Sequence, residues 1–138
     1  LSSVQIMRIK SFCAKKLFDK MHMDKYKNIV IWLGINDVLY YKYDNRSDEE
    51  IFSNVTSAYY SLYQKYKELD AKIYFMSIAP CSDYNLNVII HRINQYINMN
   101  FNMIDSKYFP DLNEHHYFTT TFKKIYDEQI KPVLENNK

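Results

Sequence analysis

The stretch Asn28-Ile29-Val30-Ile31-Trp32-Leu33-Gly34-Ile35-Asn36-Asp37 decides the fold class. Its first six residues form a short run rich in apolar and β-branched side chains, which is typical of a strand buried on both faces. Gly34 ends the run, and it is the only glycine in the 138 residues. Because glycine tolerates backbone conformations that strain other residues, we expect a sharp turn directly after this strand.

Strands and amphipathic helices alternate outward from this stretch. The apolar runs at residues 72–77 and, more weakly, 101–104 predict two further strands. Helical spacing of apolar residues predicts helices at 4–21, at 47–69 after the capping box Ser47-Asp48-Glu49-Glu50, at 85–98, and from about Phe122 to near Pro132.

This alternation predicts one α/β domain over residues 1–138, with no Gly/Ser/Pro-rich linker dividing it. We expect a three-layer α/β/α arrangement with a parallel, flavodoxin-like sheet and a ligand at the carboxyl ends of the strands. Three strands are few for four helices, and a domain that opens on a helix leaves a sheet edge bare. One or two strands are therefore expected upstream of Leu1 or from another chain.

The amino-acid composition of the chain limits the classes of partner that we expect it to bind. The formal charge of +2 comes from 18 basic and 16 acidic residues that alternate along the chain, so no nucleic-acid partner is expected. No apolar run reaches the roughly 18 residues of a transmembrane helix, and no signal peptide is visible in the chain. Cys13 and Cys81 lack metal-type spacing, and both a disulfide and two thiols are compatible with them. Neither the compartment nor the oligomeric state is indicated.

The Gly34-Ile35-Asn36-Asp37 turn follows a buried strand, where this architecture places its working groups. An Asn36 side chain held there can donate its amide N–H to a developing oxyanion, while the Asp37 carboxylate can brace the turn. An ordinary turn is the alternative, because Gly, Asn and Asp are common in all turns.

A second polar segment, residues 110–116, directly precedes the last predicted helix. It contains Asp111, Asn113, His115 and His116, a histidine base together with side chains able to fix its tautomer. Adjacent histidines point in different directions, so at most one of them can serve. A solvated loop is the alternative. Common metal-ligand spacing is missing, and no metal or other cofactor is expected.

The remaining candidates are weaker. We expect His91 to be a surface residue, while His22 has no chemical partner near it in sequence. Cys81 is expected to be packed rather than reactive. Three tyrosines after the turn can line a substrate cleft, namely Tyr40, Tyr41 and Tyr43.

The motif order resembles the SGNH (GDSL-type) hydrolases, whose Gly-x-Asn-Asp block matches Gly34-Ile35-Asn36-Asp37. The further matching segments cover nearly the whole chain: Ile78-Ala79-Pro80, Ile93-Asn94-Gln95-Tyr96, Ile104-Asp105, and His116 ahead of Phe122-Lys123-Lys124-Ile125. The resemblance implies that Asn36 donates to the oxyanion, that His116 is the base, and that Phe122 is the aromatic residue after it.

The chain also departs from that family. The Gly-Asp-Ser nucleophile block is absent, and Ser2 and Ser3 are too close to the Gly34 strand to be assigned that role. The second oxyanion-hole glycine is also missing. Asn113 stands where the family has an aspartate, so either Asp111 or Asn113 itself would orient His116.

The resemblance implies a serine esterase or acetylesterase acting on a small-molecule or carbohydrate ester. A carbohydrate O-acyltransferase would use the same site. A degenerate SGNH-like domain that binds without turnover is the alternative from another class, and a flavodoxin-like nucleotide module ranks last because the chain has no glycine-rich phosphate loop.

Overall fold

The computed structural model describes residues 26–106 and 119–136. These residues form an α/β structure around a three-stranded parallel sheet in the order β1-β2-β3. The strands are β1 (Asn28–Ile31), β2 (Lys72–Met76) and β3 (Asn102–Ile104). Ile29 pairs with Ile73, and Tyr74 pairs with Asn102. The predicted parallel sheet is therefore confirmed.

The helices are α1 (Ile35–Tyr43), α2 (Asp48–Tyr66), α3 (Tyr84–Asn100), α4 (Thr119–Ile125) and α5 (Lys131–Asn136), with a π-helical turn at Tyr126–Ile130. Two of the helices, α2 and α3, begin where a side chain accepts from a free backbone amide. Ser47 Oγ accepts from the Glu50 amide at 3.2 Å before α2, as the capping-box motif predicts. Before α3, the Asp83 carboxylate accepts from the Asn85 amide at 2.9 Å.

Alternate strand residues supply two separate apolar clusters. Ile29, Ile31 and Phe75 pack against α2 and α3, whereas Val30 and Met76 pack against the helical segment from α4 to α5. Helices thus cover both faces of the sheet, which is compatible with a three-layer α/β/α fold. This double covering is the reason the strands are uninterrupted apolar runs.

Two helices differ from the predictions. Residues 35–43 form α1 rather than a simple turn, because Gly34 caps a segment whose Ile35, Val38 and Leu39 lie at helical spacing and pack into the core. The last helix also continues past Pro132. The Lys131 amide donates to the Tyr126 carbonyl across the π-helical turn, and this altered bonding lets the helix continue through a residue with no amide hydrogen.

Some predictions lie outside the described residues. The helix at 4–21 and the strands expected upstream of Leu1 belong to this group. None of the helices in the described ranges is long and apolar enough to cross a membrane.

Candidate functional site

The carboxyl ends of the three parallel strands meet at one edge of the sheet. We call this the carboxyl edge, made of residues 32–37 after β1, 77–80 after β2, and 105–106 after β3. Open parallel sheets bind ligands at such an edge. Polar groups from all three strand ends are fixed there.

The backbone at Gly34 requires a glycine. Its φ is +115°, a conformation that L side chains rarely adopt. A Cβ added at Gly34 would lie against the Tyr59 hydroxyl and 2.6 Å from Ile78 Cδ1. The same Tyr59 hydroxyl donates a hydrogen bond to the Leu33 carbonyl. The turn is therefore held from α2 and has no room for a side chain.

Asn36 and Asp37 lie in the first turn of α1, immediately beyond this glycine. Asp37 is buried, with 1% of its surface exposed, and Asn36 is partly exposed. The positive end of the helix favours a carboxylate at this position. Burial, together with the charge of Asp37, raises the pKa of Tyr59 well above its ordinary value, so Tyr59 remains a neutral donor to the turn.

A serine and an aspartate join the ends of β2 and β3. Ser77, 2% exposed, donates through Oγ to Asp105 Oδ1 at 2.8 Å and accepts from the Ser106 amide at 2.8 Å. The Ser77 amide donates to the Ile104 carbonyl at 2.9 Å. Sequence reasoning did not find this pair, because its partners are 28 residues apart.

Two asparagines of α3 hold the segment that follows β2. Asn94 bonds both backbone groups of Ile78, accepting from its amide and donating to its carbonyl at 2.8 Å each. Asn87 bonds both backbone groups of Cys81 in the same way, at 2.8 and 2.5 Å. The carboxyl edge is thus braced from behind by α3, and only the Asn94 motif carried a signal in the sequence.

The tyrosines of α1 divide between two sides of the helix. Tyr40 and Tyr43 are 46% and 89% exposed, and they follow Asn36 at i+4 and i+7, on one helical face. Tyr41 packs against the core instead, and burial raises its pKa. Two of the three candidate cleft tyrosines therefore share a stripe with Asn36.

The candidate residues Asp111, Asn113, His115 and His116 lie outside the described residues, and their roles stay predictions. The described residues that precede and follow this segment in the sequence lie at the carboxyl edge or contact it. Ser106 bonds to Ser77 on one side. On the other side, the Phe122 ring meets Trp32, which follows β1, edge to face with centroids 5.4 Å apart.

Two weaker candidates, His91 and Cys81, lie within the described residues. His91 is exposed on α3, as expected. Cys81 is a half-buried free thiol packed against the core, with Sγ 3.8 Å from the Asp83 carbonyl oxygen. Within residues 26–106 and 119–136, no group of three His, Cys, Asp or Glu side chains is placed to hold a metal ion.

No protein-family model matches this chain, and no curated protein matches it significantly.

Proposed function

We propose that the chain is an SGNH-type hydrolase domain, and that it acts as a serine esterase or acetylesterase on a small acyl ester of a carbohydrate. One observation carries the proposal. The Gly34 turn places Asn36 in the first turn of a helix at the carboxyl edge of a parallel sheet. This is the position from which an asparagine amide can meet a reacting carbonyl.

The proposed reaction has two acyl-transfer steps. A serine hydroxyl, not assigned to any residue of this chain, attacks the ester carbonyl while His116 accepts its proton. The Asn36 amide donates to the oxyanion of the tetrahedral intermediate, and the alcohol leaves with the proton from His116. Water then attacks the acyl-serine, again assisted by His116. The products are the free acid and the alcohol, with the serine regenerated.

The carbohydrate part of the proposal is supported by the stripe of Asn36, Tyr40 and Tyr43. Tyrosine rings present an apolar face and a polar hydroxyl, which suits a neutral sugar ring. A sugar lying on this stripe would place its ester near Asn36.

Charges next to the stripe are paired with one another, which does not favour an ionic ligand. The Arg46 guanidinium has Nε 2.9 Å from Asp44 Oδ2 and Nη1 3.2 Å from Glu50 Oε2. Lys42 Nζ lies 4.0 Å from Asp48 Oδ1. A neutral acyl sugar therefore fits this part of the surface better than a charged ligand does.

A degenerate binding domain is the second candidate. The chain lacks a Gly-Asp-Ser block and has Asn113 in place of the family aspartate. An acyltransferase would share every group named above and differ only in using a sugar hydroxyl instead of water.

The test is turnover of p-nitrophenyl acetate by the intact protein, with labelling by a serine-reactive fluorophosphonate. Asn36→Ala and His116→Ala should each lower kcat by at least about a hundredfold, because each removes a group that acts in the transition state. Asn54→Ala and His91→Ala, at exposed helix positions, are the matched controls and should leave kcat unchanged.

Unaltered turnover in both the Asn36 and His116 variants would refute the assigned roles. A wild-type protein that neither reacts with the probe nor hydrolyses the ester would favour the binding domain. Acetyl transfer to an added xylo-oligosaccharide, faster than hydrolysis, would indicate the acyltransferase.

A further inference from the structure

The exposed tyrosines of α1 continue the carboxyl edge along one face of a helix. α1 begins directly after the Gly34 turn, so Asn36 lies nearest the edge, and Tyr40 and Tyr43 follow it on the same face. We call these three residues the α1 stripe. At a rise of about 1.5 Å per residue, Tyr40 lies about 6 Å and Tyr43 about 10 Å beyond Asn36 along the helix axis. This length exceeds one sugar ring.

The α1 stripe is carried on a fixed backbone. The opposite side of the helix packs into the core through Ile35, Val38 and Leu39. The last turn is closed by the Asp44 amide, which donates to the Tyr40 carbonyl at 3.0 Å, and by the Arg46 amide, which donates to the Tyr41 carbonyl at 3.0 Å. Tyr43 is therefore 89% exposed on a backbone that its neighbours hold in place. Side chains presented by a rigid element suit an ordered contact with a ligand.

We propose that the α1 stripe binds an oligosaccharide chain, so that the substrate is an acylated neutral glycan of at least three rings rather than an acylated monosaccharide. This inference rests on the proposed function, which places the ester-bearing ring at Asn36. The second ring lies on Tyr40 and the third on Tyr43, because the steps of about 6 and 4.5 Å along the helix axis are each comparable to one sugar ring. Tyr43 is then a specificity-determining residue for chain length.

The surroundings of Tyr43 favour a neutral glycan over other occupants. Arg46, just beyond the end of the stripe, donates to Asp44 at 2.9 Å and to Glu50 at 3.2 Å, so its charge is compensated within the chain. A tyrosine ring offers an apolar face to the C–H groups of a sugar and a hydroxyl to its polar groups. Two such rings are too small a surface for a stable protein partner, which typically buries about 800 Å² on each side.

Chain length is the variable that tests this inference. Acetylated xylose, xylobiose and xylotriose are compared as substrates of the intact protein, alongside the corresponding cello- and manno-oligosaccharides. For at least one of these sugars, kcat/KM should rise by about 10- to 100-fold from the monosaccharide to the trisaccharide, because two aromatic contacts each contribute about 3- to 10-fold. The gain should lie mainly in KM, since neither tyrosine touches the reacting carbonyl.

Tyr43→Ala is the decisive variant. It should lower the ratio of kcat/KM between the trisaccharide and the disaccharide by about 3- to 10-fold, and Tyr43→Phe, which keeps the ring face, should restore most of that ratio. Tyr60→Ala is the matched control, because it removes a 52% exposed tyrosine from α2, and it should keep the wild-type ratio. Thermal unfolding shows whether each variant folds. Isothermal titration calorimetry with the unacylated sugars gives the same ratio from Kd values, independently of turnover.

Hydrolysis of p-nitrophenyl acetate by the wild type, with equal kcat/KM for the monosaccharide and trisaccharide of every series, would overturn this inference and leave the proposed function standing. A folded Tyr43→Ala variant that keeps the wild-type ratio would also overturn it. A concentration-dependent dimer in sedimentation velocity that Tyr43→Ala abolishes, without any preference for chain length, would assign the α1 stripe to self-association instead.

A wild type that neither hydrolyses the ester nor reacts with the fluorophosphonate would overturn the proposed function. Kd values that fall with chain length, and that Tyr43→Ala raises for the trisaccharide, would in that case retain the α1 stripe as the oligosaccharide site of a binding domain. Kd values independent of chain length would overturn both proposals.

Discussion

The two ends of the same three strands differ in how their polar groups are held. At the carboxyl edge, Ser77 joins two strand ends through its buried hydroxyl, and Tyr59 holds the Gly34 turn. At the amino edge, residues 27 and 69–72 line a depression of about 420 Å³, and its two lysines are exposed.

Fixed geometry distinguishes the carboxyl edge as the candidate site. Catalysis depends on groups held in place before the substrate arrives, whereas exposed lysines on flexible stems are free to reorient. This difference between the two edges predicts where substitutions should have large effects. Substitutions at the carboxyl edge should alter stability or turnover strongly, and substitutions at the amino edge should do neither.

The largest effect on stability is expected for Gly34→Ala. The variant combines a strained positive φ with overlap against Tyr59 and Ile78, each costing about 1–3 kcal/mol. Urea unfolding should therefore show a loss of about 2–6 kcal/mol, and kcat should fall because Asn36 is displaced.

Asn45→Ala is the matched control for Gly34→Ala. Asn45 also has a positive φ, +56°, but it lies in an exposed turn. This control isolates the backbone term, which should amount to about 1 kcal/mol. Equal losses in the two variants would contradict the argument that the Gly34 turn is closed by its neighbours.

Tyr59→Phe should have a smaller effect, a loss of about 1–3 kcal/mol at neutral pH, because the buried Leu33 carbonyl loses its donor. Tyr60→Phe, at the exposed neighbouring position on α2, should cost less than about 0.5 kcal/mol. Urea unfolding of both variants at pH 7 measures the difference.

The pH dependence of unfolding above pH 10 provides a second test of the Tyr59 hydrogen bond. The pKa of Tyr59 is raised in the folded state, so its contribution is fully present below about pH 10 and is lost as the pH rises toward the folded value. The wild type should lose about 1.4 kcal/mol more per pH unit than Tyr59→Phe in this range, so the gap between them should narrow. A constant gap up to pH 11 would contradict the burial argument.

The sequence predicted the sheet better than the site. Strands at Ile29 and Ile73 were readable because double burial leaves an uninterrupted apolar run. The carboxyl edge followed from the parallel topology. Helix α1 was missed because Gly34, Asn36 and Asp37 are turn-formers, and the helical spacing behind them extends over only nine residues.

Contacts between residues distant in sequence explain why other features of the carboxyl edge were not predicted. The bond from Ser77 to Asp105 joins strand ends 28 residues apart, and Tyr59 reaches a carbonyl 26 residues away. A serine or a tyrosine in the sequence does not indicate such a partner, because both residue types are common in loops and on helix surfaces. The roles proposed for Asn36 and His116 rest on motif order, which local periodicity does not contain.

The smallest effect is expected for Lys72→Ala at the amino edge. Lys72 is exposed, and its backbone amide, which donates to the Lys27 carbonyl at 2.9 Å, is retained in the variant. Stability should change by less than about 0.5 kcal/mol, and kcat should not change. Urea unfolding and ester hydrolysis measure both quantities. A loss of turnover comparable to that of Asn36→Ala would move the functional site to the amino edge, since the substitution leaves every hydrogen bond of the carboxyl edge in place.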